Sequence, residues 1–466
     1  MSNVLDEKPS GKPCTRSESV MGGTIQDVEV QDEVFGAITK DGPNYRALGW
    51  KGSIVVMLKT QIGLGVLTIP KVFAVLGLIP GIICVIVVAS MITWANYVVG
   101  AFKLRHPNVH GIEDVGRMLM GKFGYEFFGW LFVIYWMLTA SASFVGLSTC
   151  LNALSEHGAC TAIFVAVGSV IGFVFGSVQT LGRISWLAWV GFGSILSALL
   201  VLTISVGVQD RPAAAPQTNT TWASDYVLFA NPTPSEAFAA VSSIVFSYAG
   251  TPAFFHIVAE MRDPRMYTRA MMVCQSIMTA LYIAIGIVVY YFCGTYVTSP
   301  VLGSAGPLMK RICYGLALPG LTVSSALFVH FTGKYLFLRF MRGSSHLTRN
   351  SVTHWAVWIG CTGVNALLSY IVASAIPILS GLVSLVGAFG GTLLSLQPMG
   401  AMWLYDNWNG KRTPLWMLTF AWVVFVIVMG SFMTVAGSYG AIVGIINDYK
   451  ASGGSAAWSC ADNSSS

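Results

Sequence analysis

From about residue 51 the chain is a succession of apolar runs separated by short segments that hold most of its charges, prolines and glycines. Each run is roughly twenty residues long, the length a helix needs to cross a hydrocarbon core of about 30 Å. Runs such as Ile82–Ala89 and Ile195–Val206 are continuous rather than alternating. A membrane β-barrel needs alternating segments of about ten residues, so the pattern predicts an all-α polytopic membrane protein. Charged residues make up 10% of the 466 and hydrophobic ones 55%. Soluble domains carry about 25% charge, which excludes an assembly of them.

Runs bounded by charge, Pro and Gly predict eleven spans, at about 51–76, 78–102, 125–153, 161–179, 183–208, 237–259, 268–294, 317–340, 352–373, 376–404 and 414–438. Residues 47–438 then form one transmembrane domain, flanked by an acidic tail at 1–46 and a short tail at 439–466. Lys/Arg excess marks the cytoplasmic face. With the N-terminus inside, fifteen body cations fall on that face, and only Arg211, Lys310, Arg311 and Lys450 fall outside. Lys59 and Lys71 lie within the first span. The sequon Asn219-Thr220-Thr221 then faces the lumen or exterior, where N-glycosylation occurs; Asn463-Ser464-Ser465 is a second sequon near the C-terminus. An integral membrane protein is expected, more readily of the plasma membrane than of the vacuolar membrane.

Residues 1–46 hold five Lys/Arg and eight Asp/Glu with few apolar residues. That composition predicts disorder, as a solvated leader or as a regulatory segment. In the regulatory reading, Lys8, Lys12, Ser17 and Ser19 are open to modification by trafficking or ubiquitination machinery. Between spans 2 and 3, Ile112, Val115, Leu119 and Met120 share one side of a short amphipathic helix expected at the inner membrane surface.

Two spans are interrupted at mid-depth. In span 1, Thr60-Gln61-Ile62-Gly63-Leu64-Gly65 sets polar groups and two glycines in the bilayer centre, followed by Pro70. In span 6, Ser243 leads through Phe246-Ser247-Tyr248-Ala249-Gly250-Thr251 to Pro252. Glycines in membrane helices also serve close packing. Interruptions at corresponding positions of two halves, however, point to a transporter's binding site. Unwinding frees backbone N–H and C=O groups, which lipid cannot satisfy but a polar ligand can.

At these segments the sequence resembles the amino acid/auxin permease family, and within it the fungal neutral amino-acid permeases. Leu58-Lys59-Thr60-Gln61-Ile62-Gly63-Leu64-Gly65-Val66-Leu67 resembles the family's N-x-x-K-x-x-x-G-x-G-I-L pattern, and Phe246-Ser247-Tyr248-Ala249-Gly250 its F-A-Y-A-G segment. Glu260-Met261-Arg262-Asp263-Pro264 resembles the E-M-x-x-P exit. Thr251 and His256 depart from the pattern, standing where many members have His and Glu. The resemblance covers residues 50–438 and implies a five-plus-five inverted-repeat, leucine-transporter-like fold with one added helix. It implies secondary active uptake of amino acids, proton-driven in fungi and plants and sodium-driven in some animal members.

The twelve body acids all fall near span ends or in loops. Without a mid-membrane countercharge a neutral side chain suits the site better than a charged one. Tyr135, Trp136, Phe246, Tyr248 and Gly390-Gly391 are candidates to line its pocket, although such aromatics equally serve packing. Intramembrane ionisable groups are functional candidates, here Lys59, His256 and His330. A desolvated lysine can titrate, and so can histidine, so Lys59 and His256 lead for proton coupling; Lys59 can also snorkel to the interface. Ser324 and Ser325 in span 8 are the alternative, as hydroxyl ligands for sodium. Glu260, with Arg262 and Asp263, stands where an inner gate would close, or is a solvated cluster. Cys150 and Cys160 flank one outer loop and are candidates for a disulfide.

No cofactor or metal is expected. The nine cysteines show no C-x-x-C, no stretch has a basic nucleic-acid-binding face, and no catalytic triad or phosphate loop appears, so an enzyme is not expected. A non-transporting amino-acid sensor and a vacuolar exporter share these features and remain alternatives. The expected partners are neutral amino acids and the lipid bilayer.

Overall fold

The computed structural model describes residues 28–32, 36–39, 48–178, 181–216, 222–342, 344, 351–451 and 457–464. Asn219 lies outside the described residues, as do Lys8, Lys12, Ser17 and Ser19. Span 1 is two pieces, α1 (Trp50–Gln61) and α2 (Ile69–Leu76). Spans 2 to 5 are α3 (Leu78–Arg105), α4 (Ile112–Ser155), α5 (Thr161–Gly176) and α6 (Leu181–Val208). Span 6 is again two pieces, α7 (Pro234–Tyr248) and α8 (Thr251–Glu260). Spans 7 to 9 are α9 (Tyr267–Cys293), α10 (Pro307–Met341) and α11 (Val352–Ala375). Span 10 comprises α12 (Leu379–Val386), a π-helical turn at Gly387–Gly391, α13 (Thr392–Ser395) and α14 (Gln397–Asn407), and span 11 is α15 (Pro414–Ala451). Among the described residues each of the eleven expected spans has a helical counterpart, nine of them in helices or helix groups long and apolar enough to cross a membrane, and the only strands are one antiparallel pair in the N-terminal tail.

Spans 1 and 6 each open a set of five, and the two broken spans cross: α1 packs on α8 and α2 on α7. Burial separates core from periphery. The most apolar stretch of Pro234–Glu260 is 83% buried within the protein, against 22% for Pro414–Lys450. Span 6 is therefore a central element, and span 11 is an added helix whose side chains mostly face lipid. Span 8 lies along α6, α4 and α5. Pro319 interrupts its ladder. There Ser194 of α6 inserts its hydroxyl, donating to Leu316 O at 2.5 Å and accepting from Gly320 N at 3.0 Å. A proline kink with an inserted hydroxyl re-satisfies backbone that lipid would leave bare.

Several boundaries differ from expectation. The amphipathic stretch after residue 112 is continuous with span 3 in α4, turning at Gly121, whose φ of 66° suits glycine. It buries Ile112 and Val115 against the protein and leaves Met120 exposed, so it is not simply laid on the membrane surface. Helix α10 begins at Pro307 rather than 317, because a proline at the first helical position starts the helix before the apolar run does. Helix α15 runs on to Ala451, so the second tail begins later than residue 439. Within the first tail, Val28–Asp32 pairs antiparallel with Gly36–Thr39, a local hairpin that composition did not indicate.

Candidate functional site at the two helix breaks

Helix α1 stops at Gln61 because Ile62 leaves helical geometry at φ −85°, ψ 95°. A 3₁₀ turn at Gly65–Leu67 follows, and α2 restarts with Pro70 in its first turn. The Gly63 and Leu64 amides donate to no backbone carbonyl. In span 6, Ala249 leaves helical geometry and α8 restarts at Thr251 with Pro252. The two breaks touch. A Cβ on Gly65 would lie 2.6 Å from the Ser247 Cα, and one on Gly250 would lie 2.8 Å from Thr60 Oγ1 and 3.1 Å from Gln61 Cγ. Only hydrogen at these positions lets the two backbones approach so closely.

Tyrosines cover the freed carbonyls. Tyr282 of α9 places its hydroxyl 3.0 Å from Gln61 O and 2.8 Å from Ser247 O, spanning both breaks. Tyr135 of α4 donates to Ala249 O at 2.5 Å. The Tyr248 hydroxyl turns to Thr279 of α9 at 3.0 Å. Three smaller hydroxyls are spent within their own segments: Thr60 on Met57 O, Ser243 on Ala239 O and Ser247 on Ser243 O. Two polar side chains at the crossing have no partner. Both amide atoms of Gln61 and the hydroxyl of Thr251 are buried without a hydrogen bond.

Lys59 is wholly buried and does not snorkel. Its Nζ donates to Ile62 O at 3.0 Å and to Ser324 Oγ at 2.8 Å, placing an ammonium between the span 1 break and α10. Gly191 of α6 closes the third side: a Cβ there would meet Lys59 Cε at 2.9 Å. Ser324 therefore lies at the break, but Ser325 does not. Its hydroxyl bonds to Leu321 O, and its Cβ faces Gly172 of α5. The two serines are neighbours in sequence and so point to different sides of α10, and they form no common ligand pair.

His256, Trp136 and His330 sit apart from the crossing, whereas Leu64, Phe246 and Gly390 lie beside it. His256 stacks on His110 at 5.1 Å and lies 5.2 Å from Phe132. Trp136 packs among Phe328, Phe331 and Phe132, and His330 against Trp358. Leu64 meets α4 where Gly146 makes room. Phe246 lies against the π turn at Gly387, and Gly390 against Tyr135. Glu260 is neither solvated nor matched with Arg262; it forms a buried ion pair with Lys334 of α10. Beside it, Leu48 and Met261 pair as a parallel bridge, with Leu48 N donating to Glu260 O and Arg262 N to Leu48 O. These contacts close that face of the molecule.

The opposite face is open. Cavities of about 200 and 420 Å³ share Lys71, Ser299, Ser380 and Asp448. The first descends to Thr68 and Ser243, next to the two breaks. On this face Cys160 is bonded to Cys460, not to Cys150, whose thiol lies buried against Tyr314 O. The bond joins residues 300 apart in sequence.

Two crossing broken helices, lined by free backbone amides, match a described family. Residues 46–443 fit the family described as "Transmembrane amino acid transporter protein". The chain belongs to this family. It is 32% identical to a "Transmembrane transporter" of Gibberella moniliformis over 429 residues, covering 91% of this chain and 90% of the relative. A "Transmembrane transporter" of Fusarium pseudograminearum is equally similar, at 32% over 428 residues, or 91% and 89% of the two chains. An "N amino acid transport system protein" of Neurospora crassa is 29% identical over 453 residues, 95% of this chain and 93% of that one. Among solved structures, that of MhsT in complex with L-phenylalanine superposes with a TM-score of 0.53 at 13% identity, over 86% of this chain and 97% of the other. The transporter fold expected from the two interruptions is present.

Sequence reasoning missed Tyr282, Lys334 as the partner of Glu260, and the interruption in span 10. The glycine run from Gly387 to Gly391 was the one signal for the last of these.

Proposed function

We propose that this amino acid transporter takes up neutral amino acids by proton symport, through alternating access around the crossing of α1–α2 with α7–α8. The reading rests on one observation: polar groups without protein partners converge where the breaks meet. The Gly63 and Leu64 amides suit a carboxylate, since free N–H groups at a helix break bind anions. The Gln61 side chain and the Thr251 hydroxyl offer further polar contacts to the zwitterion. Phe246 and the rings of Tyr135 and Tyr248 stand near enough to meet an apolar side chain. Glu126 within α4 and Glu260 at the end of α8 are engaged by Arg339 and Lys334, and Glu113 and Asp114 stand in the first turn of α4 rather than at the breaks, which favours a substrate without a cationic side chain.

Coupling falls to Lys59. A protonated Lys59 occupies the space between the span 1 break and Ser324 with one positive charge and ties the break to α10. Loss of that proton removes the charge and weakens both donated bonds from the charge-assisted to the neutral kind, which loosens the tie between α1 and α10. The cation is then a proton carried on the protein, in place of a sodium ion held between them. His256, against His110 and away from the crossing, is assigned to packing.

The closed face, with Lys334–Glu260, is assigned to the cytoplasm, and the face of the Cys160–Cys460 disulfide to the oxidising exterior. The N-terminus is then cytoplasmic, at the plasma membrane. Uptake of a panel of labelled amino acids in permease-deficient cells, with a protonophore control, tests the whole reading. Accumulation of leucine or phenylalanine abolished by protonophore is expected. Competition by arginine or glutamate alone overturns the substrate class, and binding without accumulation makes the protein a sensor.

A further inference from the structure

We propose that residues 457–464 are the fixed side of the outer gate, a strap bound to the outer ends of spans 3, 4, 8 and 9 against which α2 and the loop at 295–300 close. The inference rests on the alternating-access reading above and assigns part of its gate. The segment contains no helix or strand, and such an end of chain frays unless it is tied down. Here it is tied along its length. Trp458 N donates to Ser374 O at 2.9 Å and the Trp458 ring meets that of Tyr370, both of α11. Cys460 is bonded to Cys160 at the start of α5, and Thr161 donates to Ala461 O at 2.6 Å. Lys310 of α10 donates to Ser464 Oγ at 3.3 Å.

Asn463 makes the fourth attachment, to α4. Its side chain accepts from Asn152 Nδ2 at 2.8 Å and donates to Ser148 Oγ at 3.0 Å, and the same Asn152 nitrogen donates to Thr161 Oγ1 at 2.8 Å. Ser148, Asn152 and Thr161 are buried, so the amide inserted from the strap supplies partners that buried polar groups require. Asn463 also begins the sequon Asn463-Ser464-Ser465. The nitrogen that a glycan would occupy is the one donated to Ser148, so a docked strap excludes glycosylation there.

The strap forms one wall of the larger outer cavity, of about 420 Å³, through Ser459, Ala461, Asp462 and Asn463. Other walls come from elsewhere in the molecule, namely Lys71 of α2, the loop at 295–300 and Ser380 of α12. In alternating access this space has to shut before the cytoplasmic face opens, or a continuous path would cross the membrane. A segment held by a covalent bond and by hydrogen bonds to four spans moves with those spans as one body. Helix α2 belongs instead to a broken span that the disulfide does not reach. The strap therefore narrows the cavity from the side of spans 3, 4, 8 and 9, and a short inward movement of α2 and the loop closes what is left.

Accessibility of a cysteine in the facing wall tests this. In cells expressing the full-length Ser380→Cys protein, residue 380 is labelled from outside with a membrane-impermeant thiol reagent, with and without a mixture of the common amino acids, and the modification is read by mass. With the strap intact the mixture should slow labelling about tenfold, the effect of a shift of about 1.4 kcal/mol toward the closed gate. Adding Cys160→Ser with Cys460→Ser, or Asn463→Ala, should remove that protection while the purified variants bind the protecting amino acid as tightly as before. Brief treatment of the Ser380→Cys protein with a membrane-impermeant reductant opens the bond after folding and should act in the same way, so the test does not depend on the variants folding. Equal protection with and without the strap's attachments, or none with the strap intact, overturns the gate role. Loss of binding together with protection overturns it too, since the segment then serves the fold and not the gate. Protection by the mixture but not by leucine or phenylalanine overturns the neutral-substrate reading and leaves the strap standing.

Discussion

Replacing Lys59 by Met separates coupling from folding. The ammonium makes two bonds, to Ile62 O and Ser324 Oγ. Bonds to charged groups are worth about 1.5–3 kcal/mol each. Burying the ammonium costs several kcal/mol, a penalty the isosteric methionine avoids. Ser324 keeps its own bond to Gly320 O, so the terms nearly cancel and thermal stability should change little. Function should change much more. One proton carried per substrate makes one pH unit worth about 1.4 kcal/mol, or tenfold accumulation. In proteoliposomes with the membrane potential clamped and the outside one unit more acidic, the unmodified protein should concentrate leucine about tenfold. Lys59→Met should equilibrate it and no more, while exchange of labelled for unlabelled leucine persists. Gradient-driven accumulation by the variant would refute the reasoning. So would accumulation by the unmodified protein that disappears when choline replaces sodium.

Tyr282→Phe strips the hydroxyl from two freed carbonyls, and a buried acceptor left unsatisfied costs about 1–3 kcal/mol; a lowered melting temperature in detergent, with weakened leucine binding, is expected. Gly65→Ala drives a Cβ to 2.6 Å from the Ser247 backbone, which should abolish substrate binding, whereas alanine at Gly193, with open space around it, should be neutral. Glu260→Gln removes the carboxylate of a buried ion pair, a loss of about 3–5 kcal/mol; replacing both with apolar residues should restore stability but weaken closure of that face, seen as faster labelling of a cysteine placed at Thr60. Burial and nearby cations hold His110, in the loop before α4, well below the ordinary histidine value. The unfolded chain therefore takes up a proton first as pH falls below about 6.5, so stability should decline below that pH and decline less in His110→Phe.

The parts legible in the sequence are those written in local pattern. Apolar runs bounded by charge, Pro and Gly located the eleven spans, because lipid demands long apolar helices whatever their neighbours. The two interruptions were visible because Thr60, Gln61, Gly63 and Gly65 in span 1, and Ser247, Gly250 and Pro252 in span 6, each fall within six residues at mid-depth. What stayed hidden was pairing across the chain. Tyr282 looks like any aromatic in an apolar helix, and only the approach of α9 to both breaks gives its hydroxyl a task. Glu260 lies next to Arg262 in sequence, yet its partner is Lys334, 74 residues away. Likewise Cys160 passed over nearby Cys150 for Cys460, since α4 turns the Cys150 thiol inward to Tyr314.

The two faces of the transporter are held by different chemistry, and the difference suits alternating access. Closure on one side depends on a buried ion pair and a pair of backbone hydrogen bonds, Leu48 N to Glu260 O and Arg262 N to Leu48 O. Such contacts are strong when made, yet each group regains water when the face opens, so the net difference between open and closed is small. The other side carries a covalent bond, but it ties the C-terminal segment to the start of α5 and leaves α2 and α7 unlinked by it. The halves α2 and α7 of the broken spans are thus free of that covalent restraint. Lys59 sits on α1 at the junction between them and α10, where a change of one proton alters two hydrogen bonds at once. On the proposed coupling, a shift of a few kcal/mol there is comparable to what separates two conformers of such a protein, enough for Lys59 to bias which face is open.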